Sequence, residues 1–288
     1  MGDGHIGYAR RGQGSAGARS VILRDGADGR SGKDAHILQL PKGVPHVYFD
    51  AAYVAEKTRT ARSLFGGTVV ISWPTATGVS FVTSAAFNGE QVMRFAANAK
   101  AVKIAAALPE SFTFIGALML PAAQKTLLET TATSRVLFAG YDVDGVANTA
   151  RMTLNSTGTG TTRAVSFFSV PGDEARCQWF GGSNVAAAEP AADVAELWAV
   201  RFDHGTKQSR MYHNDAKSPI KTFTHTAAFT YDSADVIYLC SVNPSDAATG
   251  WLGDIQCAVF FDDTDPAKAL SDQQIADIFG DLAAALIP

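Results

Sequence analysis

Two short stretches concentrate carboxylates in turn-like sequence. Tyr141-Asp142-Val143-Asp144-Gly145 sets two carboxylates just ahead of a glycine, and Asp262-Asp263-Thr264-Asp265 groups three acids. Calcium wants several hard oxygens in one loop, so either stretch could bind it, with Asp142 and Asp144 as the candidate ligands. Asp-x-Asp-Gly is equally ordinary hairpin-turn chemistry, and both readings stay open. Apart from calcium, no cofactor is expected. Rings that could stack on a sugar lie near turns or strand ends: Trp179, Tyr212, Tyr141 and Trp251. The first three are the candidate ligand contacts. Trp73, Trp198, Phe167-Phe168 and Phe260-Phe261 sit in apolar strand sequence and are better suited to a core.

Other reactive constellations are missing. The six histidines show no zinc-ligand spacing, and there is no Gly-x-Ser-x-Gly elbow. Ala27 to Asp34 faintly echoes a phosphate loop, but Asp34 stands where the magnesium-binding hydroxyl would be, and Pro41 cuts off any helix. Cys177, Cys240 and Cys257 are odd in number and widely spaced, and are expected to be buried, reduced thiols. No enzymatic activity is expected.

The elements that must carry these residues are mostly strands. Val47–Phe49, Thr68–Ile71, Gln91–Phe95 and Ser111–Ile115 are short, rich in β-branched and aromatic residues, and bounded by Gly, Pro, Asn or Asp. Further strands are expected at 135–138, 149–154, 164–168, 176–180, 196–202, 209–212, 236–240 and 255–261. Strands repeated over some 240 residues without interleaved helices point to a sandwich or barrel. One helix closes the chain. Ser271 and Gln274 form a capping-box pattern, and Ile275, Ile278, Phe279, Leu282 and Leu286 then share one face.

Residues 1–45 differ in character. They hold ten of the 26 glycines and seven Lys/Arg against four Asp, which leaves 17 basic against 24 acidic residues in the remainder. The division is a glycine-rich extended arm over 1–45 and one domain over 46–288. Gly26, Gly29 and Gly32 recur at intervals of three, readable as a remnant trimeric stalk or as a turn-rich linker. Val21–Leu23 and Ile37-Leu38 could each add a strand to a neighbour. With a net charge of −4, the chain gives no reason to expect nucleic-acid binding or a membrane-surface role. The start, Met1 to Gly12, lacks the apolar core of a secretory signal, and no apolar run is long enough to span a membrane.

The order of motifs resembles concanavalin-A-like and laminin-G-like domains. Trp251-Leu-Gly-Asp254-Ile255 leading to Leu270-Ser271-Asp272-Gln273-Gln274-Ile275 is similar to that family's closing strand and helix. Phe49-Asp50-Ala51, Asn88-Gly89 to Phe95, and Ser111 to Phe114 resemble its opening strands. Trp198–Asp203 with Arg210–Asn214 looks like its long hairpin, whose turn often presents a polar edge. The resemblance covers about residues 46–288 and implies a two-sheet antiparallel jelly-roll sandwich. The family's hydrolases use Glu-x-Asp-x-x-Glu on one strand; here Asp193 and Glu196 keep the last interval, but Ala191 takes the first position.

Such domains are familiar in phage tail fibres, tail tips and decorations, and usually work outside cells. A particle assembled in a host cytoplasm and released by lysis would reconcile that with the missing export signal and disulfides. The expectation is therefore a structural virion component with a lectin-like head for host or surface glycans. It would be held to other virion proteins, and to copies of itself as a trimer, through the arm. A stand-alone carbohydrate-binding module is the alternative, and a glycan-degrading enzyme comes third.

Overall fold

The computed structural model describes residues 19–20, 39–40, 44–53, 60–62, 69–73, 78–96, 102–141, 150–157, 163–180, 189–214, 217–241 and 250–287. In chain order the strands are β1 (Arg19–Ser20), β2 (Gln39–Leu40), β3 (Val44–Asp50), β4 (Thr60–Arg62), β5 (Val70–Ser72) and β6 (Val79–Ser84). They continue with β7 (Glu90–Phe95), β8 (Val102–Ile104), β9 (Phe112–Met119), β10 (Ala132–Tyr141), β11 (Arg151–Thr157) and β12 (Arg163–Val170). The last are β13 (Asp173–Phe180), β14 (Ala195–Asp203), β15 (Gln208–His213), β16 (Lys221–Thr224), β17 (Val236–Leu239) and β18 (Gly253–Asp262). Helix α1 spans Ala122–Thr130 and α2 spans Asp272–Leu286.

These strands form two antiparallel sheets facing each other, the sandwich that the resemblance implies. Sheet I runs β13-β12-β11-β10-β17-β8-β5-β4, and sheet II runs β16-β15-β14-β9-β18-β7-β6 with β3 also paired to β18. Strand β3 begins at Val44, so its pairing with β18 starts two residues before His46. β1 and β2 pair separately, Arg19 with Leu40 and Ser20 with Gln39. Val21–Leu23 and Ile37-Leu38, the glycine triplets and most of the arm lie outside the described residues.

The core follows from strand alternation. Phe112 and Phe114 of β9, Trp198, Val200 and Phe202 of β14, and Phe138 of β10 meet between the sheets. The alternate residues of sheet II, among them Ile115, Ala117, Leu197, Ala199, Tyr212 and Val259, face outward into a second apolar cluster roofed by α2. Central strands β9 and β18 are therefore buried on both faces, and all eight residues of β9 are buried. Ile275, Ile278, Phe279, Leu282 and Leu286 supply the helix side, at about 2 kcal/mol of transfer free energy for each fully buried side chain. Ser271 accepts from the Gln274 backbone N–H and Gln274 returns the bond, completing the capping box.

Three features depart from expectation. Helix α1 interrupts the strand series between β9 and β10, where none was expected. It has no side-chain N-cap, and Leu128 is its one buried residue, so it lacks the apolar stripe that betrays a helix in sequence. β4, β6, β8 and β16 are additional strands, mostly short and near sheet margins. Trp73 (4% exposed), Trp198 (3%), Phe167, Phe260 and Phe261 (0% each) are core as expected. Phe168 instead points outward, with the Arg151 guanidinium 4.7 Å from its ring centre. All three cysteines are free and buried.

Candidate functional site

At one end of sheet II a cleft of about 230 Å³ opens between three segments. They are the residues just before β9 (Glu110, Ser111), the end of β14 with its turn (Arg201 to Gly205), and the connection from β18 to α2 (Asp263, Thr264, Pro266, Ala269). The turn owes its shape to local chemistry. Asp203 Oδ1 accepts from the Thr206 backbone N–H at 3.1 Å, and Lys207 adopts a positive φ of 54° before β15 resumes the hairpin. The turn is tied to β9 by the His204 backbone N–H, which donates to Ser111 Oγ at 3.0 Å. His204 Nε2 lies 3.1 Å from the Phe229 carbonyl.

Asp263 forms the cleft's inner wall. Its carboxylate accepts from the Thr113 hydroxyl at 2.6 Å and from the Leu270 backbone N–H at 3.1 Å. Burial pushes its pKa up, against the opposing pull of Thr113, Leu270 and Arg201. Arg201 stands beside it, with Nε 4.0 Å from Asp263 Oδ2 and Nη1 4.0 Å from Asp272 Oδ1. Both separations exceed hydrogen-bond length. Arg201 therefore has charge neighbours but no hydrogen-bond acceptor among the described residues. Asp272 is held more closely by Arg210 (3.1 Å) and by the Tyr212 hydroxyl (2.8 Å). Glu110, half-buried on the opposite lip, makes no hydrogen bond or ion pair among the described residues.

Tyr212 is thus a correction. It was expected as a ligand-stacking ring, but it is 0% exposed beneath α2 and spends its hydroxyl on Asp272. Trp251 is likewise interior, at 3% exposure. Trp179 lies in β13 and Tyr141 ends β10; the side chains of both, and Asp142 and Asp144 altogether, lie outside the described residues. In the second acidic stretch, Asp263 faces inward as described. Asp262 Oδ1 and Asp265 Oδ1 bond nearby backbone N–H groups at 2.9 and 3.1 Å, as turn residues do. Among the described residues, no group of three or more His, Cys, Asp or Glu is placed to hold a metal.

Two further acid-containing clusters lie outside the cleft. Asp193 is exposed, with a positive φ of 58°, and bonds the Ala122 backbone N–H at the start of α1. Glu196 turns inward, accepting from Ala191 N–H (3.0 Å) and Trp198 Nε1 (3.3 Å), with His213 Nε2 at 3.4 Å. Ser209, His225 and Asp173 align like a nucleophile, base and orienting acid, with Oγ to Nε2 at 2.8 Å and Nδ1 to Oδ1 at 3.4 Å. Ser209 is 1% and His225 3% exposed, inside the sandwich. Through Asp173 the trio ties β15 and the end of β16 to the start of β13, a clasp between the two sheets.

Sequence pointed to the hairpin of β14 and β15, whose turn forms one lip of the cleft. It did not point to Glu110, Arg201 or Asp263 as partners. The available signal was the run Arg201-Phe202-Asp203-His204, where charged residues alternate with a core phenylalanine.

No protein-family model matches the chain, and no curated protein matches it in sequence. Solved structures do share its fold. Domain 4 of AbnA, a GH43 extracellular arabinanase from Geobacillus stearothermophilus, in complex with arabinotriose, aligns with a TM-score of 0.54 at 11% identity, covering 82% of this chain and 98% of that one. The HCR/D F1240A mutant aligns with a TM-score of 0.54 at 8% identity over 83% of this chain, which spans about half (52%) of that protein's length. At these identities the likeness establishes a common β-sandwich.

Proposed function

We propose that this chain is a non-catalytic glycan-binding domain whose binding site is the cleft between Glu110, Arg201 and Asp263, and that it forms the outward-facing head of a phage virion component. The observation that carries the binding reading is the cleft's unused hydrogen-bonding capacity. Arg201 offers up to five N–H donors and Glu110 two acceptor oxygens, none engaged within hydrogen-bond range among the described residues. At about 230 Å³ the cleft is smaller than the roughly 300–1,000 Å³ of pockets that take drug-sized ligands, a scale suited to one sugar ring. Pro266 and Ala269 give it an apolar side for the C–H face of such a ring. That domain 4 of AbnA was solved with arabinotriose adds support from a protein of the same fold.

The virion reading is supported by a basic, glycine-rich arm preceding an acidic body, a division suited to docking the arm on a larger assembly. Attachment to other virion proteins and trimer formation would both run through that arm, and the particle would be assembled in the host cytoplasm.

Two measurements test the proposal. Binding of the full chain to an immobilised panel of oligosaccharides should be saturable and should fall at least tenfold in Arg201→Met; no binding at millimolar sugar defeats the glycan reading. Light scattering should give a trimer for the full chain and a monomer for a chain starting at Pro41, which keeps β3 whole. A monomer in both cases would argue for a free-standing binding module instead.

A further inference from the structure

We infer that the cleft takes an uncharged sugar ring and discriminates against carboxylated sugars. This rests on the glycan-binding reading of the same cleft and adds the class of ligand.

The reason is the arrangement of charge around Arg201. A lone arginine with free donors would ordinarily suit a carboxylate, because its fork matches two oxygens. Here that arginine already has two carboxylates at 4.0 Å, those of Asp263 and Asp272. Two more acids line the same space, Glu110 and Asp203, while among the described residues Arg201 is the one Lys or Arg in the lining. Arg210, the next cation, is drawn to Asp272 at 3.1 Å. An incoming carboxylate would gain one cation and face several anions in a part-buried site, where such repulsion is weakly screened.

Hydrogen-bond capacity points the same way. The lining offers both unused donors, on Arg201, and unused acceptors, on Glu110. A carboxylate can satisfy only the donors, and an ammonium group only the acceptors. A sugar hydroxyl does both, accepting from Arg201 while donating to Glu110. Adjacent hydroxyls on one ring are the simplest chemistry that satisfies both lips together. Asp263 belongs to the wall rather than the contact set, since its oxygens are occupied by Thr113 and Leu270.

The test uses the full chain and a panel in which each neutral oligosaccharide is paired with its sialylated or uronic-acid counterpart, for example lactose with 3′-sialyllactose. Titration calorimetry on the pairs that bind should show the neutral member at least tenfold tighter. Glu110→Gln removes one negative charge without breaking any bond within the described residues. It should leave the melting temperature unchanged, weaken the neutral sugar severalfold and narrow the preference within each pair. Equal or tighter binding of the carboxylated member would overturn this inference while leaving glycan binding standing. Neutral binding that is indifferent to both Glu110→Gln and Arg201→Met would overturn the placement in this cleft. Absence of binding across the whole panel would overturn the glycan reading, and this inference with it.

Discussion

His225 and Asp173 meet across the open edge of the sandwich, with the imidazole Nδ1 3.4 Å from the carboxylate Oδ1. His225 follows β16 in sheet II, and Asp173 starts β13 in sheet I, directly after the Pro171-Gly172 turn in which Gly172 has a φ of 88°. The other carboxylate oxygen accepts from Thr226 N–H, Thr226 hydroxyl and Ala227 N–H at 2.6, 2.8 and 3.0 Å. Antiparallel pairing stops at an edge strand, so these bonds join two edges that no β-ladder connects.

Acid should open that clasp. Burial lowers the His225 pKa, outweighing the pull of Asp173, so the folded protein holds the ring neutral while the unfolded chain takes up a proton below about pH 6.5. Burial raises the Asp173 pKa, but the bonds from Ala227 and Thr226 and the nearby His225 outweigh it and leave it lowered. Its contribution is present above about pH 4 and is lost as pH falls further. Urea midpoints should therefore decline from pH 6.5 downward, first through the histidine and then through the aspartate. In His225→Gln the decline between pH 6.5 and 5 should flatten. An unchanged slope there would show that His225 does not set it.

Arg94 and Asp254 form a two-point ion pair between β7 and β18, at 2.7 and 2.8 Å. Asp254 is fully buried and Arg94 is 45% exposed. Removing one partner of a fully buried pair costs about 3–5 kcal/mol, and the exposure of Arg94 lowers the expectation for Arg94→Ala to about 2 kcal/mol. Asp254→Asn, which removes the charge but keeps the shape, should cost less. Equilibrium denaturation of the two variants decides the order.

Phe138 is one of the rings that join the two sheets. From sheet I it reaches Phe114 (4.5 Å between centroids), Phe260 (5.4 Å) and Phe112 (6.0 Å), all from sheet II. Phe138→Ala should destabilise by about 3–5 kcal/mol through the cavity it leaves, and Phe138→Leu by less. Chemical denaturation would show a smaller effect if neighbouring rings collapse into the gap.

The three thiols should be silent to an exposed-thiol reagent at pH 8 in the native protein and all react on unfolding. Burial pushes the Cys177 pKa up to about 12, and burial raises those of Cys240 and Cys257 as well. Fast reaction of any one in the native state would mean that the sandwich opens locally.

Much of the fold could be read along the chain. Phe112 and Phe114 alternate with Thr113 and Ile115 as a strand must, and Ser271 with Gln274 marks the start of α2 in sequence as it does in space. Position near a strand end misled. In Arg210-Met211-Tyr212-His213 alternation sends Met211 inward and Tyr212 to the other face. Tyr212, near the strand end, was expected to face a ligand; α2, 60 residues later, covers that face, and the Tyr212 hydroxyl finds Asp272. Helix α1 was missed for the opposite reason: with one buried residue it leaves too little pattern to see.

By itself, then, the sequence determined the class of structure, because strand alternation, turn residues and a helix cap are local and each is encoded within a few neighbours. It also determined the charge division between residues 1–45 and the remainder. Tertiary structure decided which residues share a site. Glu110, Arg201 and Asp263 are strung across more than 150 residues and become neighbours only because β9 lies between β14 and β18 in sheet II. The same pairing set two carboxylates beside Arg201. Long-range pairing between strands has no signature in any single stretch of chain, so the chemistry of the cleft is a property of the sheet order.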